Sequence, residues 1–179
     1  SGPSFSNEVV QNLPTAVTLA TKDKSNFDKI SKLIQSKEFR VYYSNDLLGT
    51  QIGGALKNIY AVAAGIAKGL NLGENAKSAL ISRSFVEMTR FAENFKANKN
   101  TLFGLSGLGD LILTCNSESS RNTQFGIKIA SAKNENYTDL LKSQEVTEGY
   151  YTVEAVYNIS KKNNIEMPIM ESVYNILYN

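Results

Sequence analysis

From Asp46 to Gly69 apolar residues recur at helical intervals without a break. Ile52, Leu56, Ile59, Ala63 and Ile66 form a stripe at steps of four and three, which predicts one long helix. A second row, Thr50, Gly54, Lys57, Ala61 and Ala64, is small at every position except the lysine, and such a row lets another backbone or a ligand come close. Upstream the pattern changes. Gly2-Pro3-Ser4 carries turn chemistry, and Asn7 to Asn12 suits one or two helical turns. Thr15 to Ala20 reads as a buried, β-branched strand, Asn26 to Ser36 as a short amphipathic helix with Phe27, Ile30, Leu33 and Ile34 on one side, and Phe39 to Tyr43 as a second strand. Residues 1–44 thus predict a β-α-β piece. Two strands do not make a stable sheet alone, so this piece is expected either to continue a sheet from sequence outside the chain or to pack on the helical remainder.

Downstream the pattern stays helical. Gly69 to Gly73 predicts a turn, and Glu74 to Lys96 a helix with Ile81, Phe85, Met88, Ala92 and Phe95 inward. On another face of that helix Arg83, Glu87 and Arg90 stack, a row read as a solvated or inter-helix ion-pair face. Shorter helices are expected over Leu111 to Cys115, Thr123 to Lys133 and Tyr151 to Lys162. A last one follows Pro168, a residue favoured at helix starts, with Ile169, Val173, Ile176 and Leu177 inward. The fold class is mainly α behind a β-α-β opening, without internal repeat or low complexity.

Composition narrows the function classes. The chain has 179 residues, 42% hydrophobic and 20% charged, which suits one globular domain or one and a part. A formal net charge of +2 gives no electrostatic drive toward nucleic acid or an anionic membrane. Gly49 and Gly53 make a GxxxG, but Gln51, Lys57 and Asn58 in the same segment argue against a membrane span. The lone Cys115 excludes an internal disulfide, fits a reducing compartment and reads as a small buried residue. No basic region followed by an apolar run suggests a signal peptide. The chain has no histidine. Ser-His and Cys-His pairs and histidine-built zinc sites are thereby excluded, no metal site is expected, and acid–base work falls to Lys, Asp, Glu, Tyr and Arg.

Three places could carry that chemistry. Between Asp46 and Lys68 the ionisable side chains are Lys57 and Tyr60, and the positions four residues either side of Lys57 are Gly53 and Ala61, so no acidic partner sits one turn away. Spacing leaves two readings open: a core-helix lysine reaching out to water, or one held for chemistry. The stretch Thr101 to Asp110 has glycines at 104, 107 and 109, a GxxGxG without a preceding strand. This is not the GxGxxG of a dinucleotide fold. It reads as a tight turn delivering Asp110 to the next helix, with a plain N-cap as the alternative. Ser117 to Asn122 sets hydroxyls, a guanidinium and an amide just before a helix, which suits an anion, or else an N-cap serine beside a solvated arginine.

Taken together, GALKN at 54–58, GLSGLGDLILTC at 104–115 and SRN at 120–122 resemble the bacterial NAD(P)-dependent glycerol-3-phosphate dehydrogenases. GPSF at 2–5, PTA at 14–16, EG at 148–149 and the PI, VY and IL pairs from 168 to 177 match in the same order. The resemblance covers nearly the whole chain but not the family's Gly-rich nucleotide fingerprint. It implies that residues 1–44 close a nucleotide-binding domain and that 45–179 form an all-helical substrate domain of the 6-phosphogluconate-dehydrogenase C-terminal-like type. By the same resemblance the reaction interconverts glycerol 3-phosphate and dihydroxyacetone phosphate with NAD(P), for phospholipid synthesis, in a cytoplasmic homodimer. Lys57 would be the acid–base residue, Asp110 would position it and contact substrate, and Ser120, Arg121 and Asn122 would hold substrate. Gly2 and Ser4 match substrate contacts. Ser6, where the family usually has alanine, together with Arg121, Val146 and Glu148, would lie beside the cofactor. The chain alone is expected to be inactive. Two alternatives stand beside this: a related lysine-dependent dehydrogenase acting on another hydroxy acid, and a non-catalytic helical module for oligomerisation or partner binding.

Overall fold

The computed structural model describes residues 1–132 and 147–179. The long helix, α3 (Leu47–Gly69), runs through the middle, and every residue from Ile59 to Ala67 is buried. Asp46 starts it: one carboxylate oxygen accepts the Gly49 N–H at 2.9 Å, while the other accepts the Asn98 N–H at 3.0 Å. Around α3 pack α4 (Gly73–Asn94), α6 (Asp110–Asn116), α7 (Arg121–Ser131), α8 (Glu148–Asn163) and α9 (Pro168–Tyr178). The chain is mainly α, as its periodicity predicts. The core is correspondingly all round α3 and not confined to one stripe, with Leu56, Ile59, Tyr60, Val62 and Ala64 at 0–1% exposure. Burying each large aliphatic side chain among them is worth about 1.5–3 kcal/mol.

α3 and α7 approach each other closely. A Cβ added at Gly65 would stand 2.1 Å from the Thr123 carbonyl oxygen, and one at Gly126 would stand 2.2 Å from the Val62 carbonyl oxygen. The two helices therefore cross backbone against backbone, at Gly65, which lies beside the row of small residues on α3 and not in it.

The opening piece is a short helix α1 (Ser6–Val10), strand β1 (Thr15–Ala20), helix α2 (Lys24–Ile34) and strand β2 (Phe39–Ser44). The strands pair in parallel, Thr15 opposite Phe39 through Ala20 opposite Ser44, with α2 as the crossover. The helix begins two residues earlier than its apolar pattern suggests because Asp23 caps it, accepting the Ser25 N–H at 2.8 Å. Of its apolar side only Phe27 is substantially covered, edge-on to Tyr43, while Leu33 is 84% exposed.

Several expectations are corrected in detail. The stretch before Asp110 is not a simple turn: after a short α5 (Lys99–Leu102), residues Leu105–Gly109 form a π-helical turn that runs straight into α6. Asp110 is thus the first residue of α6 and not its N-cap, a place taken by Gly109. The last two helices start at Glu148 and Pro168, the former three residues earlier than expected. The predicted end of α7 at Lys133 lies outside the described residues.

The row Arg83, Glu87 and Arg90 is neither solvated throughout nor an ion-pair ladder. Arg83 is exposed and Arg90 pairs with Glu166, but Glu87 is only 3% exposed. Its carboxylate accepts the Ile169 N–H at 2.7 Å, the Met170 N–H at 3.1 Å and the Tyr60 hydroxyl at 3.2 Å. Glu87 thereby caps α9 from α4 and ties both to α3, satisfying N–H groups that a helix start leaves free. Burial raises its carboxyl above the ordinary value of 4.5 and lifts the Tyr60 hydroxyl as well. As pH rises past 4.5 the unfolded chain releases this proton before the folded one does. The associated stability is therefore full in acid and is lost as pH rises through the folded value. Glu87→Gln, which does not titrate, removes that slope. The melting temperature of the native protein relative to the variant is expected to fall as pH is raised through this window, and an unchanging difference would show that Glu87 does not titrate there.

Candidate active site

A cleft of about 700 Å³ opens where α3, α6 and the starts of α7 and α8 meet the Ser1–Asn7 segment. At its base Lys57 Nζ lies 2.7 Å from Asp110 Oδ2, with side-chain exposures of 21% and 5%. The lysine emerges from α3 where that helix passes from half-buried to fully buried, and the π-helical turn sets Asp110 against it. This turn can lie so close because Gly53 has no side chain: a Cβ there would stand 2.2 Å from the Ser106 carbonyl oxygen. Asp110 is fixed in turn by Thr114, whose hydroxyl donates to the Asp110 carbonyl at 2.6 Å and lies 3.2 Å from Oδ1. Lys57 is thus not a lysine reaching out to bulk water; it ends in a cleft, on a buried carboxylate.

The second wall is the start of α7. Ser120 caps it, its hydroxyl accepting the Thr123 N–H at 3.2 Å, and Thr123 donates to the Thr114 carbonyl at 2.8 Å. Asn122 is held from both ends: its amide donates to Asn58 Oδ1 at 3.1 Å, and its own oxygen accepts the Gly149 N–H at 2.9 Å. Arg121, 77% exposed, extends over the rim and pairs with Glu148, the first residue of α8. The third wall is the N-terminal segment. Gly2 has φ +146°, and a Cβ there would press on the Ala16 carbonyl and the Val17 Cα, both at 3.1 Å; the Ser4 hydroxyl donates to the Gly2 carbonyl at 2.9 Å.

Chemically the cleft joins a lysine–carboxylate pair at its base to a helix start carrying hydroxyl, amide and guanidinium, which suits a small phosphate-bearing substrate. Residues 46–179 match the family described as NAD-dependent glycerol-3-phosphate dehydrogenase C-terminus. The chain belongs to that glycerol-3-phosphate dehydrogenase family. A curated glycerol-3-phosphate dehydrogenase [NAD(P)+] of Solidesulfovibrio magneticus is 46% identical over 99% of this chain and 54% of its own length. The corresponding protein of Haemophilus ducreyi is 42% identical over 99% of this chain and 53% of its own. The crystal structure of the glycerol-3-phosphate dehydrogenase of Coxiella burnetii superposes with a TM-score of 0.91 at 40% identity, covering 99% of this chain and 55% of that one. That of Plasmodium falciparum gives 0.87 at 28% identity, covering 99% and 52%. This chain therefore spans about half the length of the relatives it matches.

In this glycerol-3-phosphate dehydrogenase family member, Gly2, Ser4, Ser6, Lys57, Asp110, Ser120, Arg121, Asn122 and Glu148 all line the one cleft. Val146 lies outside the described residues. Thr114 and Asn58, to which the sequence assigns no site role, also line it. Asn58 follows Lys57 directly, and Thr114 lies one helical turn after Asp110, so the i,i+4 rule applied to Asp110 would have found the latter. Cys115 is buried and its thiol is pushed up to about 12 by burial, which leaves it unreactive. Among the described residues no cluster of acidic side chains or cysteine is placed to hold a metal, and no helix is long and apolar enough to cross a membrane.

Proposed function

We propose that this chain is the substrate-binding and acid–base part of an enzyme that interconverts sn-glycerol 3-phosphate and dihydroxyacetone phosphate with NAD(P)(H). The observation that carries this reading is the Lys57–Asp110 pair at the base of a cleft whose other wall is the anion-suited start of α7. With the phosphate at Ser120, Arg121 and Asn122, the three-carbon chain reaches back toward Lys57. In the reduction direction the Lys57 ammonium donates a proton to the ketone oxygen as it gains charge; in oxidation the neutral amine accepts the hydroxyl proton. Asp110, itself held by Thr114, keeps the ammonium in one place. Gly2 and Ser4 close the substrate side from above.

The nucleotide fits the rim. The cleft is larger than a three-carbon phosphate fills, and Ser6, Arg121 and Glu148 border the space that remains. These residues would lie beside the cofactor, and the dinucleotide supplies or takes up the hydride. We further propose that residues 1–44 close a nucleotide-binding domain and that 45–179 form the substrate domain. The exposed Leu33 and the two-stranded sheet support this, being surfaces that further sheet and helix would cover. A homodimer in the cytoplasm, feeding phospholipid synthesis, completes the proposal on the strength of the resemblance.

The test is NADPH oxidation on addition of dihydroxyacetone phosphate. The chain alone is expected to show no turnover, whereas a fusion carrying the nucleotide-binding half of the Coxiella burnetii relative is expected to turn over. A fusion that binds NADPH yet leaves dihydroxyacetone phosphate unreduced would overturn the reading.

A further inference from the structure

Both basic side chains that line the cleft are engaged by acidic ones, but in contrasting ways. Lys57 and Asp110 pair at the base, where the carboxylate is buried and tethered by Thr114. Arg121 and Glu148 pair at the rim, with side-chain exposures of 77% and 53%. An exposed pair of this kind adds little stability. It is nevertheless no chance meeting of two long side chains, because their backbones are fastened together. Arg121 is the first residue of α7 and Glu148 the first of α8. Asn122, next to Arg121, accepts the N–H of Gly149, next to Glu148, at 2.9 Å. Gly149 also packs so tightly that a Cβ there would stand 2.7 Å from the Asn58 carbonyl oxygen. The two helix starts are therefore bolted to α3 and to each other, and the guanidinium and carboxylate face one another across that joint. At the start of α8 the Glu148 carboxylate also has the helix dipole to stabilise it once the arginine leaves.

Resting on the phosphate reading of Ser120 to Asn122, we propose that Glu148 is a built-in stand-in for the substrate's phosphate. In the free cleft its carboxylate occupies the Arg121 guanidinium, and an incoming anion must displace it. A phosphate dianion, with twice the charge and more acceptor oxygens, competes well for the fork; singly charged anions do not. Glu148 thus lowers affinity overall and sharpens the preference for dianions.

The test is an NMR titration of this chain with inorganic phosphate, following the Thr123 and Gly149 amide signals, on the native protein, Glu148→Gln, Arg121→Ala and the double variant. Glu118→Gln, which removes an exposed acid paired with Lys68, controls for net charge. Glu148→Gln is expected to bind phosphate about twofold to fivefold more tightly, the range an exposed ion pair can withhold. In the Arg121→Ala background the same change is expected to have no effect. Equal tightening in that background would overturn the proposal, since Glu148 would then act as a plain repelling charge. Unchanged affinity in Glu148→Gln, with loss in Arg121→Ala, would overturn it while leaving the phosphate reading intact. Absence of binding in every variant would overturn the phosphate reading itself, and the stand-in with it.

Discussion

Lys57→Ala is expected to lower kcat for dihydroxyacetone phosphate reduction about a thousandfold or more in the fusion with a nucleotide-binding half. The size follows from the two jobs the ammonium does at the ketone oxygen. Proton transfer by a positioned side chain contributes about 10²–10⁴-fold, and a fixed donor at a developing oxygen charge about 10²–10³-fold. The effects overlap because one group performs both, so the product is not expected. Lys57→Arg separates them. Arginine keeps the positive charge beside Asp110 but does not give up its proton. If acid–base chemistry dominates, the arginine variant remains nearly as slow as the alanine one; if charge alone matters, it recovers most of the loss. An alanine variant retaining most of the native rate would make Lys57 structural.

Gly126→Ala is expected to destabilise the fold strongly. The added methyl meets the Val62 carbonyl at 2.2 Å and the Ile66 nitrogen at 2.9 Å, both backbone atoms of the central helix. Neither can swing aside as a side chain could, so α7 must move away from α3. Overpacking of this kind costs about 1–3 kcal/mol or somewhat more, against which alanine's better helix propensity returns up to about 1 kcal/mol. A net loss of about 2 kcal/mol lowers the melting temperature by roughly 4–8 °C in a chain of this size. Denaturant unfolding with an unchanged m-value checks that the loss lies in the folded packing. A Gly126→Ala protein as stable as the native one would mean that the two helices separate freely.

What could be read from the sequence follows physical lines. The central helix was legible because its apolar period is unbroken over Asp46 to Gly69 and Asp46 announces its start. The strands of the opening piece were legible from β-branched runs. The start of α2 departs from the apolar pattern because the Asp23 cap, and not the first apolar residue, sets it. Glu87 was illegible for a deeper reason. Helical spacing puts it in line with Arg83 and Arg90, and only the return of α9, more than eighty residues later, buries it and gives it N–H partners. The π-helical turn before Asp110 has no periodic signature, so the handing of that aspartate to Lys57 could not be derived from spacing. Lys57 was marked by the absence of a local partner, and the partner proves to be distant in sequence. The Arg121–Glu148 pairing is invisible in the sequence likewise, because it depends on two helix starts meeting.

The all-round burial of α3 has a consequence for how the cleft can adjust. A helix with one solvent face can roll by a few degrees while its neighbours slide. From Ile59 to Ala67 this one has no free face, and at Gly65 its backbone is pressed on that of α7. Lys57 stands less than one turn before that segment, so its position is that of the core itself. Adaptation to a ligand is thereby left to the exposed side chains at the rim. The base of the cleft is a fixed datum against which the rim side chains adjust.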